Sequence, residues 1–271
     1  MKIGVFDSGY GGLTILKEIR RVLPEYDYVY LGDNARTPYG TRSYEVVYQY
    51  SWQCVERLFQ MNCQIVIIAC NTASAKALRS IQQNELVKNY PHRRVLGVIR
   101  PTAECVGFFT KTNKVGILGT VGTVQSGSYE IEIQKVFPQV EVFPQACPMW
   151  VPLIENNEHC GDGADYFVRK YITQIFSRSQ AIDTLVLGCT HYPLLLDKIQ
   201  RFSPEGVRIV SQGDIVAKSL CDYLYRHPEQ ESLCSKGSSV EFYTTESVQK
   251  FSEYASIFWQ EKIEAKTLCF S

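Results

Sequence analysis

A thiol with an unperturbed pKa of about 8.5 can take a proton from carbon as thiolate and return one as thiol near neutral pH. Of the ten cysteines in this 271-residue chain, two stand in matching surroundings. Ile65-Val66-Ile67-Ile68-Ala69-Cys70-Asn71-Thr72 and Thr184-Leu185-Val186-Leu187-Gly188-Cys189-Thr190-His191 are short apolar runs that stop at a small residue, then a cysteine, then polar side chains. An unbroken run of this length reads as a strand buried on both faces of a parallel sheet. In open α/β sheets, ligands bind beyond the carboxyl ends of the strands, so both thiols fall where chemistry is done. Facing each other across a cleft, one thiolate would remove a proton from one side of a carbon while the opposite thiol delivers another. A stereocentre would be inverted without metal or pyridoxal.

The neighbours suit a carboxylate-bearing substrate. Ser8, Asn71, Thr72, Thr120, Thr123 and Thr190 offer hydroxyls, an amide and backbone N–H groups at strand ends, which are good partners for carboxylates. Asp7 and His191, titratable groups beside these positions, could relay the proton and tune each thiol. Taken singly, a strand-end cysteine is more often a small core residue than a catalyst. Asp7 could equally close a turn, and His191 could equally be packed beside Pro193. Gly9-Tyr10-Gly11-Gly12 lacks the Lys-Ser/Thr of a P-loop and the dinucleotide spacing, which argues against nucleotide binding. Cys70, Cys189 and His191 lack the spacing of a structural zinc site.

The elements that must position these groups alternate between strand and helix. Ile3–Phe6 reads as a strand, the glycine turn follows, and Leu13–Leu23 carries Leu13, Leu16, Ile19 and Leu23 at helical spacing. Tyr28–Leu31 is a second strand, Gly32–Gly40 a loop, Ser43–Met61 a long helix, Thr72–Asn84 another helix and Val95–Val98 another strand. Pro101–Phe109 starts a helix with proline at its first position. Lys114-Val115-Gly116-Ile117 then echoes Lys2-Ile3-Gly4-Val5, and Cys189 follows Gly116 at nearly the distance at which Cys70 follows Gly4. Two similar α/β halves related by a pseudo-two-fold axis are the simplest account.

In the second half Val140–Phe143 reads as a strand, Cys147–Pro152 as a loop and Gly163–Phe176 as a helix. Pro193–Phe202 follows as helix, Arg208–Ser211 as strand and Ile215–Tyr225 as helix. Residues 226–239 read as a surface loop, Val240–Thr244 as a strand and Glu246–Trp259 as a final helix.

Composition narrows the classes. Lys+Arg and Asp+Glu each number 28, so the chain has no basic footprint for nucleic acid or anionic membrane. No apolar run reaches the ~18 to 20 residues of a membrane span, and the N-terminus enters a strand without a signal-peptide pattern. A cytoplasmic protein with reduced thiols is expected, with Cys54, Cys63, Cys105 and Cys221 as small core residues.

Five stretches resemble glutamate racemases of the aspartate/glutamate racemase superfamily: Ile3 to Gly12, Tyr30 to Gly40, Ala69 to Ser74, Gly119 to Val124 and Leu187 to Leu194. They run in family order over nearly the whole chain. The resemblance implies two open parallel-sheet domains around a cleft, residues 1–98 plus 209–271 and residues 99–208, with the C-terminal stretch returning to the first. It implies cofactor-independent interconversion of L- and D-glutamate, supplying D-glutamate for peptidoglycan. Cys70 would act on the α-proton of D-glutamate and Cys189 on that of L-glutamate, assisted by Asp7 and His191, with Glu155 supporting His191. Asp7, Ser8, Pro38, Tyr39, Gly40, Cys70, Asn71, Thr72, Thr120, Thr123, Cys189, Thr190 and His191 would hold the substrate. Aspartate differs from glutamate by one methylene, worth only about 1 to 3 kcal/mol in a pocket, so the motifs leave that substrate open. A two-lobed binding protein without catalysis is the alternative of another class. Partners expected are the small substrate and, as a homodimer, a second copy of the chain. Two departures are Arg100, where relatives carry an acidic residue before the proline, and an N-terminus without the extension of members activated by a peptidoglycan precursor; such activation is not expected here.

Overall fold

Buried, parallel strands are what the apolar runs require, and the computed structural model, which describes residues 1–270, contains ten. They are β1 (Lys2–Asp7), β2 (Tyr28–Gly32), β3 (Cys63–Ile68), β4 (Arg94–Gly97), β5 (Lys114–Gly119), β6 (Glu141–Ala146), β7 (Thr184–Gly188), β8 (Arg208–Val210), β9 (Val240–Thr244) and β10 (Ala265–Thr267). One sheet has the order β10-β9-β2-β1-β3-β4 and the other β6-β5-β7-β8, with every pair parallel.

The two sheets share a plan. In each, the first strand lies between the second and the third, so Val5 sits opposite Tyr30 and Ile67, and Ile117 opposite Pro144 and Val186. The winding reverses between β1 and β3 and again between β5 and β7, and such reversals open a crevice at the carboxyl ends of the strands. Every residue of β3 and of β7 is buried, as expected of strands covered on both faces. The first sheet gains β9 and β10 from the C-terminal stretch, which places that stretch beside β2.

Helices cover the sheets with the stripes that their spacing dictates. Leu13–Val22 buries Leu13, Leu16 and Ile19 and packs against Gly213–Arg226, the closest helix pair between the returning segment and the first half. Tyr44–Gln60 is capped by the Ser43 hydroxyl, which accepts from the Val46 N–H, and buries Val47, Cys54, Leu58 and Phe59.

Local details differ from the sequence reading. β6 runs through Pro144 to Ala146 instead of ending at Phe143, because β6 is an edge strand, where a missing N–H costs no ladder bond. The helix at Pro101 begins at Ile99, so the proline occupies the third helical position. The expected helix Thr72–Asn84 is Asn71–Lys76, then a break at Ala77 and a π turn over Ile81–Glu85, from which Gln82 donates to the Val95 carbonyl at 2.8 Å. Cys147–Pro152 is only partly loop, since Trp150–Glu155 is helical. Residues 226–239 hold one turn of helix, Pro228–Glu231. β8 straddles the boundary expected at residue 208. Of the four core cysteines expected, Cys54 and Cys63 are buried, Cys105 is half-buried and Cys221, on the outer face of its helix, is exposed. None of the ten is disulfide-bonded, and among the described residues no helix is long and apolar enough to cross a membrane.

Leu185 lies in the middle of β7 with no exposed surface, whereas Ile131 is half exposed. Leu185→Ala should cost about 2 to 5 kcal/mol in denaturant unfolding and Ile131→Ala no more than about 0.5 kcal/mol.

Candidate active site

Cys70 lies two residues beyond the end of β3 and caps the helix Asn71–Lys76. Its sulfur accepts from the Ala73 N–H and from the Ser8 hydroxyl, each at 3.4 Å. No cation balances it. Burial pushes its pKa up to about 12, with the Asp7 carboxylate adding to the rise and the two hydrogen bonds opposing it. The group at rest is therefore a thiol. Asp7, at the end of β1, is itself fully buried, and its Oδ2 accepts the Gly9 N–H at 2.9 Å. Burial raises the Asp7 pKa, opposed by His191 and by the N–H groups of Gly9 and Gly12.

Cys189 directly follows the last residue of β7 and has a different partner. Its Sγ lies 3.9 Å from His191 Nδ1, and His191 Nε2 lies 3.1 Å from Glu155 Oε1. Burial alone would discharge the ring, but its hydrogen bonds with Cys189 and Glu155 outweigh that cost and hold the His191 pKa well above its ordinary value. Glu155 reaches the histidine because Trp150–Glu155 is helical. Phe258 of the C-terminal helix meets the imidazole edge-on, with centroids 5.4 Å apart.

The two thiols open into one cavity. Ser8, Pro38, Tyr39, Gly40, Asn71, Thr72, Thr120, Thr190 and His191 line it with them, while Asp7, Thr123 and Glu155 stand behind the wall. Thr72 Oγ1 lies 2.9 Å from Thr120 Oγ1 and 3.3 Å from Thr123 Oγ1, a hydroxyl cluster that joins the halves. Thr190 Oγ1 donates to Asp7 Oδ1 at 3.4 Å, again between halves. Tyr39 contributes its ring and backbone only, since its hydroxyl is turned away to Asp33, which also holds Arg36.

The glycine turn has a steric purpose. A Cβ on Gly11 would lie 2.3 Å from Thr190 Oγ1 and 2.6 Å from His191 Nδ1, so only glycine lets the turn of the first half meet the second thiol's partners. Gly40 is similar, with a Cβ falling 2.9 Å from Thr120 Cβ.

Sequence reasoning missed part of the wall. Thr37, Thr41, Val121, Cys147, Val151 and Pro152 also line the cavity. The apolar members give no signal of a site in sequence, although Cys147-Pro148 at the end of β6 repeats the strand-then-cysteine pattern and could have been found by it. Cys147 is buried, and burial together with Cys189 raises its pKa far above the usual thiol range. Among the described residues no group of three His, Cys, Asp or Glu side chains could hold a metal ion.

These environments order the thiols by reactivity. Iodoacetamide at neutral pH should label the exposed Cys160, Cys221 and Cys269 first and leave the buried Cys54, Cys63 and Cys147 unmodified, with Cys70 slow because so little of it is thiolate. Peptide mass spectrometry reads the order.

A family model described as Asp/Glu/hydantoin racemase matches residues 9–220. The chain is 39% identical to a glutamate racemase of Aquifex aeolicus over 98% of this chain and 97% of that one. A crystal structure of a glutamate racemase isoform from Bacillus anthracis superposes with a TM-score of 0.89 at 35% identity, covering 99% of this chain and 97% of that chain. The glutamate racemase of Francisella tularensis, solved in complex with D-glutamate, gives a TM-score of 0.86 at 32% identity, covering 100% and 97%. An aspartate racemase of Picrophilus torridus shares the fold, with a TM-score of 0.54 at 18% identity over 82% of this chain and 94% of that chain. With two thiols at equivalent strand ends of one cavity, and with matches of this identity over nearly its whole length, the chain belongs to the Asp/Glu/hydantoin racemase family, among the glutamate racemases.

Proposed function

We propose that this cavity interconverts L- and D-glutamate by proton transfer between the substrate α-carbon and two thiols, Cys70 and Cys189. The observation that carries the reading is that both sulfurs open into one cavity from equivalent ends of two sheets, Cys70 within reach of the Asp7 charge and Cys189 3.9 Å from His191 Nδ1. Relatives near 40% identity that are named glutamate racemases favour glutamate over aspartate.

In the direction from L-glutamate, Cys189, next to the charged His191, withdraws the α-proton. Cys70, held as a thiol by burial, gives its proton to the opposite face. Turnover leaves Cys189 a thiol and Cys70 a thiolate, the form that receives D-glutamate. Return to the starting form requires His191 to release its proton to solvent and take the one on Cys189, while Asp7, a buried carboxyl with a raised pKa, passes one proton to Cys70. The reverse direction exchanges the roles.

The substrate carries two carboxylates, yet no Lys or Arg lines the cavity among the described residues. Its charge is therefore met by the Asn71 amide, by backbone N–H groups, by the hydroxyls of Thr72 and Thr120 and, once they turn from Cys70 and Asp7, by those of Ser8 and Thr190. Such donors bind carboxylates without a cation that would draw the thiols into permanent ion pairs. The D-glutamate product enters peptidoglycan, whose precursors are built in the cytoplasm, and we place the enzyme there.

Circular dichroism of L-glutamate incubated with the purified protein, without added cofactor, should decay to zero. An unchanged signal would sink the assignment. Cys70→Ser and Cys189→Ser should each lower racemisation by about 10²- to 10⁴-fold or more, while exchange of the α-proton with deuterated solvent should persist in one direction only for each variant. Glu155→Gln removes one of the interactions that keep His191 charged, so the alkaline fall of kcat/KM with L-glutamate should move to lower pH. A pH profile with an unmoved alkaline limb would remove Glu155 from that role.

A further inference from the structure

Three polar side chains from different parts of the chain form a closed ring beside the cavity. Asn71 Nδ2 donates to Gln212 Oε1 at 2.7 Å, Gln212 Nε2 donates to Tyr129 Oη at 2.7 Å, and Tyr129 Oη donates to Asn71 Oδ1 at 2.7 Å. All three residues are buried. Asn71 begins the helix after Cys70, Tyr129 lies on the helix Ser128–Val136 of the second half, and Gln212 lies on the segment returning to the first half.

The orientation of both amides in the ring is determined, with the two N–H groups of Gln212 shared among three acceptors. Gln212 Nε2 also faces the Val98 carbonyl at 3.1 Å and Thr102 Oγ1 at 2.9 Å, and a carbonyl can only accept, so the nitrogen of that amide must point there. Gln212 Oε1 is then left as the acceptor for Asn71 Nδ2. Asn71 Oδ1 must in turn face Tyr129, whose hydroxyl is free to donate. One N–H of the Asn71 amide is left over, on a residue that lines the cavity beside Cys70.

We infer that Tyr129 and Gln212 are positioning residues for substrate binding: they fix the Asn71 amide so that its remaining N–H faces the substrate, and they make this donor depend on apposition of the two halves. The inference rests on the racemase reading and adds two residues to it that touch no substrate. Without the Tyr129 hydroxyl, the Asn71 amide keeps only its bond to Gln212 Oε1 and loses the second contact that fixes its plane. Its remaining N–H is then no longer held toward the substrate.

Steady-state kinetics with both enantiomers on Tyr129→Phe, Asn71→Ala and the double variant test this. Tyr129→Phe should raise KM about 10-fold with kcat changed less than about threefold, as expected for loss of one oriented hydrogen bond. In the Asn71→Ala background the same substitution should have no further effect, because the residue through which it acts is gone. An unchanged KM, or an equal loss in both backgrounds, would overturn the inference. Should Tyr129→Phe fail to fold, Gln212→Met removes the other side of the ring and is read in the same way, and loss of folding in both would assign the ring to stability alone. Absence of turnover in the unsubstituted protein would instead count against the racemase assignment, which keeps the two failures apart.

Discussion

Everything in this molecule depends on bringing two strand ends within the width of one small molecule. A thiol on each side of a single carbon requires the carboxyl ends of β3 and β7 to face each other with nothing between them but the substrate. Parallel sheets supply the facing ends, because reversal of the winding opens a crevice there. The absence of side chains supplies the closeness: Gly11 lies against Thr190 and His191, and Gly40 against Thr120, at distances where a Cβ would collide. The hydroxyl cluster of Thr72, Thr120 and Thr123 and the amide ring of Asn71 and Gln212 then satisfy the polar groups that this approach buries.

Burial at the junction sets the chemistry as well as the geometry. Removing Cys70 from water without a cation keeps it protonated, while the Glu155–His191 pair places a positive ring beside Cys189. The two halves therefore repeat one backbone plan but hold their sulfurs in different electrostatic states. A single histidine, present after the second cysteine and replaced by Thr72 after the first, is enough to separate them. In the proposed mechanism, this difference in environment is what lets one residue type serve as both acid and base.

Much of this was legible in the sequence, for identifiable reasons. β3 and β7 are unbroken apolar runs, so burial on both faces can be read from composition, and the cysteines that end them fall at the site by the rule for parallel sheets. The duplicated Lys2 to Val5 pattern gave the two-sheet plan. β10 was not legible, because Ala265-Lys266-Thr267 has no apolar pattern and pairs only at an edge. The extension of β6 was hidden by Pro144, which forbids a central strand but permits an edge. Tyr129 and Gln212 were invisible for a different reason: their partners lie far away in sequence and no local pattern marks them. Tyr39 lines the cavity, and only the structure reveals that its hydroxyl is directed to Asp33.

The unequal thiols meet a limit set by the substrate. L- and D-glutamate are mirror images and have equal free energy in an achiral solvent, so at equilibrium neither is favoured. The ratio of kcat/KM in the two directions must then be one, whatever the surroundings of Cys70 and Cys189. Asymmetry between the thiols can therefore appear only as compensating differences in kcat and KM. In the proposed mechanism, a form of the enzyme in which Cys189 is the base and Cys70 the acid receives L-glutamate productively, whereas D-glutamate requires the reverse arrangement. The resting preference for a protonated Cys70 thus lowers the share of enzyme ready for D-glutamate, and the thermodynamic constraint allocates the cost between binding and turnover. The electrostatic difference between the halves shapes how each enantiomer is processed and leaves their final proportions untouched.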